Sequence, residues 1–207
     1  MIVRDGIYYA AALAAAGFLV AWLSGVAFGV PLWLLAIFCL NFFRDPERAI
    51  PAGLVAVSPA DGKVTAVNAD SPELQRVSIF LNIFDVHVNR SPIAGKITGV
   101  EYRPGRFFSA TRAHSSDDNE QNVVTVEGHG SKVVFKQIAG LIARRIVFSK
   151  QPGEAVAAGE RVGLIKFGSR CDVLLGPEWE IVVTPGQRVA AGSSVIARRI
   201  DQGPHGD

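Results

Sequence analysis

"PGEAVAAGERVGL" (residues 152–164) and "PGQRVAAGSSVIA" (residues 185–197) agree at seven of thirteen positions, 33 residues apart. Each opens on a Pro-Gly turn, runs into a short strand, turns again at Gly and enters a second strand. A unit of this kind cannot bury its apolar side alone, so its copies must stack. "SPADGKVTAV" from Ser58 and "SPIAGKITGV" from Ser91 make a second pair of similar units. Outward from these, the whole chain after "RDPER" (residues 44–48) consists of short Val- and Ile-rich runs punctuated by Gly and Pro. Strands are expected near 54–58, 62–68, 76–83, 95–102, 122–127, 131–139, 142–148, 160–167, 171–175, 179–184 and 194–200. The expected fold is mostly β, a β-sandwich or flattened barrel.

The N-terminal segment is of a different kind. Residues 7–43 carry no charged side chain. As one helix they would span about 55 Å, well beyond a hydrocarbon core of about 30 Å. Ser24, Gly25, Gly29 and Pro31 cluster at the middle, where Gly and Pro interrupt a helix. The expectation is an N-terminal hydrophobic helical hairpin, roughly residues 6–24 and 30–43, with domains at 1–43 and 44–207. Arg4 flanks its entry and Arg44 and Arg48 its exit, which puts both ends on the cytoplasmic side of a cell (inner) membrane. A cleaved signal peptide fits poorly, since Asp5 cancels Arg4 and the second apolar segment would be stranded. A hairpin buried in a soluble core is hard to build from an uncharged run of this length.

Composition narrows the function classes. The 21 basic and 19 acidic residues leave a formal charge of +2, too balanced for a protein whose main partner is a nucleic acid. Cys39 and Cys171 lie in apolar runs and suggest neither a metal site nor a disulfide framework. His87, His114, His129 and His205 form no HxH or HxxxH pair, so no metal centre is expected.

The repeated turn-strand units resemble the hammerhead hairpins of lipoyl and biotinyl domains. That resemblance implies an alternative function, a membrane-tethered carrier or adaptor. A carrier displays its lysine at a tight hairpin tip, whereas Lys150 and Lys166 here precede "QPGEA" and "FGS".

A Gly-Ser pair, Gly168-Ser169, lies between two strand-like runs in "GLIKFGSRCDVLL" (residues 163–175). With "SPADGKV" at 58, "FLNIFDVHVNRSPIAGKI" at 80 and "DDNEQN" at 117, it resembles in order and spacing the short-form phosphatidylserine decarboxylase proenzymes. The likeness runs from about residue 40 to 200, and the apolar hairpin and "FFRDPER" share the pattern. It implies a zymogen that cuts itself between Gly168 and Ser169 into a β chain, 1–168, and an α chain, 169–207, which stay together as a heterodimer. Ser169 would become a pyruvoyl group, the cofactor, which condenses with the amine of phosphatidylserine and acts as an electron sink for its decarboxylation to phosphatidylethanolamine. Asp61 matches the family's processing aspartate and His87 its histidine. Long-form relatives carry a second histidine where this chain has Arg90. The resemblance makes His87, Arg90, Asn119 and Glu120 candidates for substrate binding. Residues 103–122, with Arg103, Arg106, Arg112, Phe107 and Phe108, read as a flap over the lipid bilayer. Homo-oligomerisation is left open.

Overall fold

In a computed structural model, residues 1–106, 118–140, 145–166 and 169–200 are described. Gly168, Phe107, Phe108, Arg112 and His114 lie outside them. The chain forms two compact units, Met1–Glu47 with Phe84–Val86, and Arg48–Ile83 with His87–Asp207.

The first unit is a helical hairpin of α1 (Arg4–Ser24) and α2 (Val26–Phe42). Only Gly25 interrupts it, at φ 104°, a left-handed value that suits glycine. α2 therefore begins at Val26 and not near residue 30, and it carries Pro31 within it. Gly29 serves contact between the helices: a Cβ there would come 2.6 Å from the Gly17 carbonyl oxygen. Ala10, Ala36 and Cys39 continue the small-residue seam, while Trp22 is 82% exposed, Phe18 66% and Phe28 65%. Small residues inside and large apolar ones outside is the arrangement of helices that face lipid. α1 is long and apolar enough to cross a membrane, and α2 is shorter. The ends are fastened by Val3 N–H to the Phe43 carbonyl (2.9 Å) and Asp45 N–H to that of Met1 (2.7 Å). Arg44 donates to the carbonyl of Phe84 (2.7 Å), holding Phe84–Val86 to the foot of the hairpin.

Among its described residues the second unit is mostly β, and its strands pair antiparallel, with one isolated parallel bridge between Arg106 and Asn119. Its strands are β1 (Val55–Val57), β2 (Gly62–Ser71), β3 (Leu74–Leu81), β4 (Val88–Arg90), β5 (Gly95–Arg103), β6 (Gln121–Gly128), β7 (Ser131–Ile138), β8 (Ile146–Phe148), β9 (Ala155–Val156), β10 (Arg161–Ile165), β11 (Ser169–Leu175), β12 (Trp179–Ile181), β13 (Arg188–Val189) and β14 (Val195–Arg199). An eight-stranded sheet runs β13-β2-β3-β11-β7-β6-β5-β9, and two three-stranded sheets run β1-β14-β12 and β4-β10-β8. Val64, Ile79, Val126, Phe135 and Val173 from the large sheet share one core with Ala56, Val162 and Ile196 from the small ones. The two strands of each repeated unit go to different sheets instead of pairing with each other: β9 joins β5, while β10 joins β4 and β8.

The register reveals a duplication larger than the repeated segments. Lys63 faces Phe80 with a bulge after Val64, and Lys96 faces Glu127 with a bulge after Ile97. One step further, Leu81 faces Ser169 and Gly128 faces Ser131. The half-sheet β13-β2-β3-β11 is thus matched by β9-β5-β6-β7 as far as the pairs Ala69–Gln75 and Tyr102–Asn122, beyond which β2 has a second bulge that β5 lacks. The small sheets obey the same rule. Arg90 N–H reaches the Pro59 carbonyl (2.9 Å) and Val57 N–H that of Pro92 (2.8 Å), while Gly159 N–H reaches Ser91 (2.8 Å) and Gly192 N–H Ser58 (2.8 Å). Each Ser-Pro unit is therefore bound to the Pro-Gly unit of its own half, and the two Ser-Pro units are bound to each other. A duplicated scaffold supplies its own internal comparison: what both halves share, the fold needs, and what one half has alone is free for another use.

Candidate active site

Ser169 opens β11, and alternation puts its side chain on the face of Cys171, Val173 and Leu175, which are all in the core. It is fully buried, and among the described residues its Oγ makes no hydrogen bond. A buried hydroxyl normally finds a partner, since leaving it unpaired costs about 1–3 kcal/mol. Its equivalent in the other half, Ser131, is also preceded by a glycine, and it accepts from Trp179 Nε1 (2.7 Å) and donates to Glu178 Oε1. The scaffold can therefore satisfy a serine at this place, and in one half it does not.

His87 is fully buried at the entry to β4. Its carbonyl accepts from Ile165 N–H (3.2 Å), as the carbonyl of Leu54 accepts from Arg199 N–H (3.1 Å). Leucine thus stands where the other half has histidine. β10 brings Ile165 against His87 four residues before Ser169, while Ser169 itself faces Leu81, six residues before His87. The two residues are joined through both strands, and no hydrogen bond links the Ser169 hydroxyl to the imidazole.

Asp61 does not hydrogen-bond to His87. Its Oδ1 accepts from Ala191 N–H (2.7 Å), and both oxygens accept from Arg48 Nη2 (3.0 and 2.8 Å). Its equivalent is Ala94, in "SPIAG" against "SPADG", so the turn itself needs no carboxylate. Pro59, two residues earlier, receives both Arg90 N–H and Asn89 Nδ2 (3.4 Å) at its carbonyl, which fastens this segment to the strand following His87.

Arg90 is buried, and its Nη1 donates to the Gly159 carbonyl (2.9 Å). Asn119 Nδ2 holds the Ala139 carbonyl (2.8 Å), and Ala139 N–H reaches the Glu120 carbonyl (2.9 Å). These bonds tie Arg90, Asn119 and Glu120 into the framework around the site. Sequence reasoning did not find Asn89 and Gln137. Gln137 Nε2 donates to Asn89 Oδ1 (2.9 Å) and receives Asn122 Nδ2 at its Oε1 (3.0 Å), a chain of three buried amides ending on Pro59. Its equivalents, Ala56, Leu175 and Gln75, form no such chain, since Gln75 bonds instead to the Trp179 carbonyl (2.8 Å). A polar residue in line with the apolar alternation of Val133 and Phe135, as Gln137 is in "SKVVFKQI", was the available signal. Neither lysine considered for a carrier is displayed at a tip: Lys150 is paired with Glu160 (2.7 Å), and Lys166 is buried.

At each of these places one half of the duplicated scaffold carries a polar group that the other lacks, Asp61 in the repeat that leads into β2 and His87, Asn89 and Gln137 in the half of β5 and β7. The family profile for phosphatidylserine decarboxylase matches residues 35–197. Similar chains include the phosphatidylserine decarboxylase proenzyme of Solibacter usitatus, 69% identical over 97% of this chain and 98% of that one. Those of Solidesulfovibrio magneticus, 42% identical over 97% of each, and Burkholderia multivorans, 43% identical over 95% of each, carry the same description. The chain belongs to the phosphatidylserine decarboxylase family.

Proposed function

We propose that this chain is a proenzyme that cuts itself between Gly168 and Ser169 and then decarboxylates phosphatidylserine to phosphatidylethanolamine. The observation that carries the reading is the orphaned Ser169 hydroxyl, set against its satisfied equivalent Ser131. A serine built for packing would be paired, whereas an unpaired Oγ is left free to give its proton to a base and attack.

In the cut, His87 takes the Oγ proton and Oγ attacks the Gly168 carbonyl carbon, replacing the peptide bond by an ester and freeing the residue 169 amine. Loss of the residue 169 Cα proton expels the Gly168 carboxylate and leaves a Cα–Cβ double bond. Tautomerisation and addition of one water then release ammonia and leave a ketone at the head of the α chain. The buried face of β11 fits this group, because the methyl and carbonyl that replace the hydroxymethyl and amine need no hydrogen-bond donor removed from elsewhere. A pyruvoyl group at residue 169 would supply a carbonyl for the substrate amine and an electron sink for the Cα–C bonding pair left behind as carbon dioxide departs. Around it the core side chains exclude water, Asp61 is held in place by Arg48 and Ala191, and His87 is the proton donor to the substrate carbon after carbon dioxide leaves. Arg90, Asn119 and Glu120 fix the walls within which a substrate head group binds. The hairpin embeds in the membrane with Arg4, Arg44 and Arg48 on its cytoplasmic side.

Intact mass tests the reading. The purified protein is expected as two chains, the 39-residue one lighter by an ammonia than a peptide beginning with serine, and Ser169→Ala as one uncut, inactive chain. An active preparation containing only the full-length mass would falsify it.

A further inference from the structure

Directly after Ser169, on the opposite face of β11, lies a buried ion pair that the fold does not require. Arg170 and Asp172 are 6% and 0% exposed. Arg170 Nε donates to Asp172 Oδ1 (2.6 Å) and its Nη2 to the hydroxyl of Ser78 on β3 (2.7 Å). The matching residues of the other half are Lys132, Val134 and Thr125, where Lys132 is exposed and Val134 stands in place of the carboxylate. The same strand pairing therefore forms without the ion pair. Burying two charges costs several kcal/mol per ion in desolvation, and well-packed apolar residues of similar volume often serve stability as well or better. Stability is thus a weak reason for its presence beside Ser169 alone.

The strand's fate supplies a better one. On the self-cleavage reading just given, on which this inference rests, residue 169 becomes the first residue of the α chain. It is then paired on one side only: Ser169 faces Leu81 of β3, and pairing to β7 begins at Arg170 opposite Ile138. A strand end that has lost its covalent neighbour frays. A reacting group displaced by about 1 Å can lose on the order of 10²-fold in rate. We propose that the Arg170–Asp172–Ser78 bracket is a clamp that keeps the cofactor-bearing terminus in register after cleavage, with Arg170 a positioning residue for decarboxylation. In the proenzyme the intact chain does this itself, so the clamp matters only in the cut protein.

That asymmetry is the test. Arg170→Met with Asp172→Leu removes both charges together, and Ser78→Ala removes one arm of the bracket with less risk to folding. Each is made in the self-cutting protein and in the uncut Ser169→Ala chain, and hydrogen exchange of the peptide covering 170–175 is compared. In the uncut chain, exchange is expected to change by less than about 2-fold. In the cut chain it should quicken by about 10-fold or more for the double replacement, since fraying governs exchange at strand ends. Turnover should fall mainly in kcat, by about 10- to 100-fold, with KM nearly unchanged, and Arg170→Lys should recover part of it. Equal exchange effects in cut and uncut chains, or none in either, would overturn the clamp, as would a double replacement that stops cleavage. A wild-type protein that never cuts overturns the self-cleavage reading instead, and intact mass separates the two failures.

Discussion

Gln137→Leu puts the internal comparison under the most direct test. The equivalent position in the other half is already Leu175, so the side chain suits the scaffold, and any penalty must come from the groups Gln137 serves. It serves two. Without it, Asn89 Oδ1 loses its donor and Asn122 Nδ2 its acceptor, both in fully or almost fully buried residues. Each orphaned group costs about 1–3 kcal/mol, hence about 2–6 kcal/mol in all. For a chain of this size that corresponds to a fall in Tm of roughly 4–24 °C. The assay is thermal unfolding in detergent in the Ser169→Ala background, where a single chain unfolds and cleavage does not confuse the trace. Adding Asn89→Ala, which imitates Ala56, removes one of the two orphans, so the double variant should lose less than the sum of the single ones by about 1–2 kcal/mol. A Tm within about 2 °C of the parent, or strictly additive losses, would mean that the amide chain is not a coupled network and that the two halves are interchangeable here.

Asp61→Asn, His87→Ala and Arg48→Gln should each slow appearance of the cut chains, the first two by about 10²- to 10⁴-fold. If Arg48 acts through Asp61, it should have no further effect in the Asp61→Asn background; wild-type cutting rates in all three would place the base elsewhere. Deleting residues 1–43 should impair turnover of vesicle phosphatidylserine far more than that of a dispersed short-chain analogue, because anchoring raises the local substrate concentration. Equal losses would make the hairpin a support for the active site. Burial pushes the Cys171 thiol well above its ordinary range, so it should resist iodoacetamide at pH 8 until the protein unfolds. Because the thiol is held neutral in the folded state, its contribution is complete below the ordinary thiol pKa and lost as pH rises above it. Following folded-state labelling against pH checks this, and rapid labelling at pH 8 would contradict it.

Strands from Gly62, Leu74, Gly95, Gln121, Ser131 and Ser169 were legible as apolar alternation between turn residues, because period-two patterning is local. The three-residue β4 was not, since so short a run carries no period, and the two-residue β9 and β13 were legible only through the repeat, as the short strand between its Pro-Gly and Gly turns. They exist only because neighbouring strands pair with them. The hairpin was legible from its uncharged length, but its break at Gly25 alone was not. Gly29 looked like a breaker and is instead where α2 approaches Gly17, a contact set by the partner helix. Motif order pointed to Ser169, His87 and Asp61 as residues worth attention. The sequence by itself therefore determined the family and the residue types, which depend on linear order. Only the tertiary structure decided that Asp61 is bound by Arg48 and Ala191 instead of His87, that Asn89 and Gln137 share a buried amide chain, and that Ser169 has a satisfied twin in Ser131. These are matters of strand register and burial, and they join residues far apart in the chain, whose pairing a linear pattern does not encode.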